Sequence, residues 1–422
     1  MPEPFGTHHS KMMILLRHDD CAQVIIHTAN MIPQDWTNLC QGVWRSPLLP
    51  LVQGGFADAV QPSPPSPIGS GQRFKTDLLR YLGAYASRTR PLTDQLRRHD
   101  FSSVRAALIA STPCRQRAER QNAATHTSWG WPGLKEVLSV IPFKPPDNSE
   151  DAPNVVVQIS SVATLTEKWL TSFFNTLSTV NEQPLSSSAH ESKKPTTNII
   201  FPTADEIRRS LDGYQSGVSI HMKLQSVAQK KQLALLQPML CHWAGDSRDN
   251  HKSSATTAAT APPPQSSSSK QPTRHALRRR AAPHIKTYIR FRSQSATHID
   301  WALLTSANLS TQAWGALPAK DGEVRVCSWE VGVLVWPALF SDAEAGEPKE
   351  DARMVPVFGR DGVGGAEVEG MVGTGRTLVA CRMPYDLPLV RYGGDEVPWC
   401  ATAEHEEVDW RGCVWGGYGD RV

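Results

Sequence analysis

No two of the eight cysteines form a Cys-x-x-Cys pair. Cys21, Cys40, Cys114, Cys241, Cys327, Cys381, Cys400 and Cys413 are scattered singly along 422 residues. Such scatter argues against a zinc ribbon, and without a signal peptide it favours reduced thiols in an intracellular compartment. Long apolar runs are missing too. The longest, around Val331 to Phe340, is about half of what a bilayer core requires, so no membrane span is expected. Nor does charge of one sign dominate. A net charge of +3 says little about partners, because a nucleic-acid groove needs local rather than total charge. What remains is an ordinary globular composition, 40% apolar and 20% charged, on a chain long enough for a large core and two domains.

Apolar runs at Lys11 to Leu16 and Val24 to His27 predict buried strands around the turn-prone Arg17-His18-Asp19-Asp20. Pro and Gly clusters from Ser46 to Gly71 predict a surface loop. Phe74, Leu78, Tyr81, Leu82 and Tyr85 then share one helical face. A domain boundary is expected after residue 104, just ahead of a strand at Ala106 to Ala110. In the second part, residues 105–422, strands are expected at Val155 to Ile159, Lys286 to Phe291, Ala302 to Thr305 and Glu330 to Trp336. A helix burying Leu165, Trp169, Leu170, Phe173, Phe174 and Leu177 is expected among them. Residues 246–282 read as a disordered low-complexity insertion, too poor in apolar side chains to order itself. Its closing Arg278-Arg279-Arg280 reads first as a solvated charge run and second as a nuclear-import patch. Strands and helices alternate throughout, which makes the fold α/β.

Two segments repeat one pattern. His9-Ser10-Lys11 is followed by apolar runs, Thr28-Ala29-Asn30 and Trp36; His284-Ile285-Lys286 is followed by Trp301 to Leu304, Ser306-Ala307-Asn308 and Trp314. His and Asn are 21 residues apart in the first copy and 24 in the second, and Asn to Trp is six in both. Residues two apart in a strand face the same side, so each His should project beside its Lys, with Asn30 and Asn308 ending the following strand. If the copies pack about a pseudo-dyad, two imidazoles, two ammonium groups and two amides converge. Such a donor-rich set suits a phosphoryl group gathering negative charge in its transition state. No carboxylate cluster of metal-ligand type accompanies either copy, so the chemistry is expected to need no divalent ion or other cofactor. One imidazole can attack phosphorus while the other protonates the leaving oxygen and later activates water. Imidazoles titrate near neutrality, so each can serve in either protonation state. Glu330 stands in an otherwise apolar strand, where an unpaired carboxylate is costly and a histidine of the opposite half would relieve it.

These residues resemble the tyrosyl-DNA phosphodiesterase family within the phospholipase D superfamily. Phe5-Gly6-Thr7-His8-His9-Ser10-Lys11-Met12-Met13, His27-Thr28-Ala29-Asn30 and Gln41-Gly42 are similar to its first motif. Pro283-His284-Ile285-Lys286-Thr287-Tyr288, Thr305-Ser306-Ala307-Asn308-Leu309-Ser310 and Trp314-Gly315 are similar to its second. Pro384-Tyr385-Asp386-Leu387-Pro388, Tyr392-Gly393 and Pro398-Trp399 are similar to its C-terminal segment. The wider superfamily motif carries an Asp five residues after the Lys. Leu16 and Phe291 stand there instead, which argues against a phospholipid hydrolase and for the phosphotyrosyl-DNA branch.

The resemblance implies two similar phospholipase D-like α-β-α halves related by a pseudo-twofold axis, residues 1–104 and 105–422. The first is expected to be incomplete, because family members carry fold upstream of the first motif. It also implies roles. His9 would be the nucleophile and His284 the general acid, then base. Lys11, Lys286, Asn30 and Asn308 would hold the phosphoryl oxygens, and Gln41 and Glu330 would orient the imidazoles. Phe5 would stack on a DNA base, and Ser160-Ser161 would contact DNA phosphate. The implied reaction is metal-independent hydrolysis of the bond between a DNA 3′-phosphate and a tyrosyl peptide or other blocking adduct, through a phosphohistidine. The implied partners are single-stranded or end-frayed DNA and a topoisomerase-derived peptide, with no membrane; the protein would be a monomer in the nucleus. Other readings are a nuclease or lipid phosphodiesterase of the same superfamily, or a truncated paralogue that binds DNA ends without turnover. Ala401 replaces an aromatic usual in the family.

Overall fold

The computed structural model describes residues 3–52, 66–119, 125–142, 151–179, 193–244, 272–341, 352–364 and 377–418. Met12–Leu16 and Cys21–His27 form an antiparallel hairpin. Val43–Arg45 and Leu49–Pro50 both pair with Cys21–His27, so Met12–Leu16 lies at one edge of a small sheet. Leu49 is fully buried in what the sequence reads as loop, because it pairs across to Ala22. Helix α1 (Pro33–Thr37) connects the second and third runs of this sheet. Helix α2 (Gly71–Gly83) is capped by Ser70, whose hydroxyl accepts from the Arg73 N–H. Its buried Phe74, Leu78, Tyr81 and Leu82 close over Ala22, Val24 and Ile26.

The second sheet is larger. In order it runs Leu240–Cys241, Thr196–Ile200, Asn154–Gln158, Thr287–Phe291, Ile299–Thr305, Glu330–Val335 and Ala107–Ser111, with Arg353–Val357 and Leu378–Arg382 joined beside Ile299. Asn154–Gln158 and Thr287–Phe291 are buried on both faces, and alternation along the strands sorts their side chains. Val155, Val157 and Tyr288 face Leu134 of helix α3 (Gly130–Leu138) and Trp169 and Phe173 of helix α4 (Glu167–Leu177). Val156 and Ile289 face the opposite layer, with Trp243, Met383 and Tyr385. Leu108, Ala110, Val331 and Val333 pack with α2, so that helix joins the two sheets. The sheet is thus covered on both faces, by α3 and α4 on one and by α2 together with the segments of Trp243, Met383 and Tyr385 on the other.

Of the expected insertion over 246–282, residues 246–271 lie outside the described residues. Residues 272–282 are built into the fold: Arg274 exchanges backbone hydrogen bonds with Leu387, the Ala276 N–H donates to Asp386, and Ala276 and Ala282 are buried. Backbone pairing, which composition does not register, orders them. No helix among the described residues is long and apolar enough to cross a membrane, and all eight cysteines are free thiols.

One buried charge cluster holds the central strands. Arg290, in the middle of an apolar strand, donates to Asp300 at 3.3 Å and to the Ser178 carbonyl at 2.8 Å. Asp300 also accepts from Arg292 at 3.2 Å. Asp300→Ala leaves a buried guanidinium short of its counter-charge, and a loss of about 3–5 kcal/mol is expected. Urea unfolding at an unchanged slope measures it; an unaltered midpoint would mean that the carbonyl alone satisfies Arg290.

Candidate active site

Neither His-x-Lys pair lies in a strand. The strands begin at Met12 and Thr287, and both pairs occupy the extended approaches to them. Each ammonium turns back on its own histidine: Lys11 Nζ donates to the His9 carbonyl at 2.8 Å, and Lys286 Nζ to the His284 carbonyl at 2.6 Å. This local bond, rather than strand alternation, fixes each pair.

The halves exchange backbone bonds at this point. The His9 N–H donates to the Trp329 carbonyl at 3.0 Å, and the His284 and Ile285 N–H groups donate to the Cys40 carbonyl at 3.1 and 2.9 Å. Trp329 precedes Glu330, and Cys40 precedes Gln41. Each imidazole is therefore pinned against the polar residue of the opposite half. Glu330 Oε2 lies 3.0 Å from His9 Nδ1, and Gln41 Nε2 lies 3.1 Å from His284 Nδ1.

The supports behind these two contacts repeat one design. Ser306, two residues before Asn308, donates its hydroxyl to Glu330 at 2.5 Å, while its oxygen accepts the Val331 N–H at 3.0 Å. Thr28, two residues before Asn30, donates to Gln41 Oε1 at 2.8 Å, while its oxygen accepts the Gly42 N–H at 2.9 Å. Glu330 opens a strand paired to Ile299–Thr305, and Gln41 stands just ahead of a strand paired to Cys21–His27. The pseudo-dyad thus extends from the His, Lys and Asn residues to their supports. Ser306 and Thr28 had a signal in the sequence, a hydroxyl at the same place in both copies.

Asp35 breaks the symmetry. This α1 carboxylate is 1% exposed, lies 3.1 Å from His284 Nδ1, and accepts the Asn30 N–H at 2.6 Å. The corresponding place in the second copy, five residues after Asn308, is Ala313. No repeat points to Asp35, so the sequence reading did not single it out.

The two amides are set differently. Asn308 Oδ1 accepts from Ser160 N–H at 3.1 Å, Ser160 Oγ–H at 3.3 Å and Ser161 N–H at 3.0 Å, which turns the Nδ2 donors the other way. Ser160 and Ser161, where a short strand begins, therefore hold Asn308 itself; their backbone donors are spent on that amide. Asn30 is clamped by its backbone, whose carbonyl accepts from Trp36 Nε1 at 2.8 Å. Its half-buried side-chain amide has no partner among the described residues. Phe5 is 77% exposed, before the first motif. Ser10 between His9 and Lys11 is bonded to Tyr81 of α2, and His8 to Tyr85.

The electrostatics show convergence. Burial pushes the Lys11 ammonium down to about 8 against the pull of Glu330 and Asp35. Lys286 is driven well below its ordinary value by burial and then by Lys11. Burial and the nearby Lys286 push the His284 imidazole down, with His9 acting in the same direction. Each half's groups therefore act on the other's. A phosphodiester entering here would offset that mutual repulsion. Among the described residues, no group of three or more His, Cys, Asp or Glu side chains is placed to hold a metal ion. A cavity of about 1030 Å³ opens behind Asp35 and Gln41, along Met13, Ile25 and Val43, with Arg278, Arg279 and Arg280 on its wall.

The sequence matches the model of the tyrosyl-DNA phosphodiesterase family over residues 1–393. It is 27% identical to a probable tyrosyl-DNA phosphodiesterase of Schizosaccharomyces pombe, over 97% of this chain and 77% of that protein. It is 29% identical to tyrosyl-DNA phosphodiesterase 1 of Arabidopsis thaliana, over 98% of this chain and 62% of that protein. The chain thus spans less than two thirds of the Arabidopsis relative's length. A crystal structure of the yeast tyrosyl-DNA phosphodiesterase matches the fold with a TM-score of 0.58 at 19% identity, covering 94% of this chain and 78% of that one. Since the family match takes in both His-x-Lys segments and the fold is phospholipase D-like, the chain belongs to the tyrosyl-DNA phosphodiesterase family of phosphodiester hydrolases.

Proposed function

We propose that the protein hydrolyses the bond between a DNA 3′-phosphate and a tyrosyl peptide, or another 3′ blocking adduct, through a phosphohistidine and without a metal ion. The observation that carries this reading is the pair of unlike partners on the two imidazoles. His9 Nδ1 faces a carboxylate, which can only accept. The proton then stays on Nδ1, and Nε2 keeps its lone pair for attack on phosphorus. As the N–P bond forms, the bond from phosphorus to the tyrosine oxygen breaks, and that oxygen takes a proton from His284. In the second step His284 removes a proton from water, the water oxygen bonds to phosphorus, and the bond to His9 breaks. A 3′-phosphate end remains, and both imidazoles return to their starting states. Lys11, Lys286, Asn30 and the outward Nδ2 of Asn308 supply donors for the charge that accumulates on the phosphoryl oxygens.

The setting that fits this chemistry is nuclear DNA repair, with topoisomerase-derived peptides as the leaving group and a frayed or single-stranded 3′ end as the DNA. In this reading Phe5 stacks on a base of such an end and the Ser161 hydroxyl contacts its phosphate. The test is turnover of a 3′-phosphotyrosyl oligonucleotide by the purified chain in EDTA, beside phosphatidylcholine. Release of tyrosine with EDTA present is expected. Lipid turnover alone, or dependence on added divalent metal, would overturn the proposal.

A further inference from the structure

His284 Nδ1 has two polar neighbours, and they ask opposite things of it. Gln41 Nε2 can only donate, because the Gln41 amide is fixed by the hydroxyl of Thr28 on its oxygen, and Thr28 is itself fixed by the Gly42 N–H. Asp35 Oδ2 can only accept, and it lies equally close, 3.1 Å from the same nitrogen. One nitrogen cannot carry a lone pair for the amide and a proton for the carboxylate at once. We propose that Asp35 is a positioning residue for His284: it accepts a hydrogen bond from Nδ1–H when that ring acts as acid and then base, while Gln41 holds the resting ring with Nδ1 unprotonated.

Among the described residues the charged or titratable groups facing the ring are few: Asp35 from α1, Lys286 two residues on, and His9 from the opposite half. Of these only Asp35 favours a proton on the ring. At rest the ring accepts from Gln41 through Nδ1, which leaves its proton on Nε2. A neutral ring in that form is a poor acid. To protonate the leaving oxygen it must first take up a proton from solvent on Nδ1, with Nδ1–H directed to Asp35. After Nε2 gives up its proton, Nδ1–H stays on the carboxylate and the Nε2 lone pair is presented to water. Asp35 thus matches, for His284, the service that Glu330 gives His9, although Gln41 occupies the position equivalent to Glu330. Asp35 is held for this by the Asn30 N–H, a bond that an asparagine oxygen in its place would preserve.

The test reads the ring itself. In protein with ¹⁵N-labelled histidine near neutral pH, Asp35→Asn is expected to raise the ratio of Nε2–H to Nδ1–H tautomer at His284 about tenfold or more, the worth of one charge-assisted hydrogen bond. Gln41→Leu is expected to shift the ratio the other way. Both variants are first checked for the parent's thermal midpoint. An unchanged ratio in either folded variant, or shifts of the same sign, would overturn the proposal.

The kinetic arm rests on the phosphodiesterase reading. Asp35→Asn should slow adduct formation from a 3′-phosphotyrosyl oligonucleotide roughly 10²-fold. With the p-nitrophenyl ester, whose leaving oxygen needs no proton, the change should stay within about threefold. Equal slowing of both esters contradicts the assignment. If the parent protein cleaves neither ester, the phosphodiesterase reading fails while the tautomer ratio still decides this one.

Discussion

Replacing His9 with alanine is expected to abolish the covalent protein–DNA adduct and to lower turnover by at least about 10⁴-fold, since loss of a nucleophile removes the two-step path altogether. Unfolding should contribute nothing to that loss. His9 is partly open, at 24% side-chain exposure, so its removal leaves no large cavity. Glu330 keeps the Ser306 hydroxyl as a partner. The fold should therefore survive, with its thermal midpoint near that of the parent. The measurement is a denaturing gel of the variant incubated with labelled 3′-phosphotyrosyl oligonucleotide. A DNA-linked protein band from folded His9→Ala would transfer the nucleophile to another residue and sink the division of roles.

His284→Ala should behave differently. The nucleophile and its carboxylate remain, so the adduct still forms, though slowly, because the tyrosine oxygen must leave without a proton. Its release then lacks the base that activates water, a loss of roughly 10²–10⁴-fold. The expected result is a DNA-linked band that accumulates with time in this variant and is transient in the parent. His284 is nearly fully buried, and its removal leaves Asp35 facing a void, so a drop in stability accompanies the kinetic effect. Equal loss of activity in both histidine variants, with no trapped band in either, would contradict the scheme.

Much of the site can be read from the chain because it is written twice. The spacing of His9, Lys11 and Asn30 against His284, Lys286 and Asn308 needs no structure to be seen, and Thr28 and Ser306 are part of the same repeat. Glu330 is visible for a different reason: a carboxylate in an apolar strand requires a partner. Asp35 offers neither clue. It sits in a short polar helix, has alanine at the matching place, and becomes significant only where α1 meets the second half. Ser160 and Ser161 show the reverse case. The family resemblance implies that they contact DNA phosphate, while in the fold their backbone N–H groups hold Asn308.

The elements follow a similar division. Apolar periodicity located the α2 helix and the central strands, because each buries a face whose repeat is set by local geometry. It missed the pairing of Leu49 with Ala22 and the ordering of residues 272–282. Both depend on hydrogen bonds to segments far along the chain, at Cys21–Ala22 and at Leu387.

From the chain alone came the candidate reacting groups, since a duplicated motif preserves its residue types and spacing whatever surrounds it. What each imidazole faces was decided only in three dimensions. There Trp329 and Cys40 cross between the halves, bringing a carboxylate to one ring and an amide with a second carboxylate to the other. Hydrogen-bond donors and acceptors act over about 3 Å, and residues hundreds of positions apart reach that distance only through the packed fold.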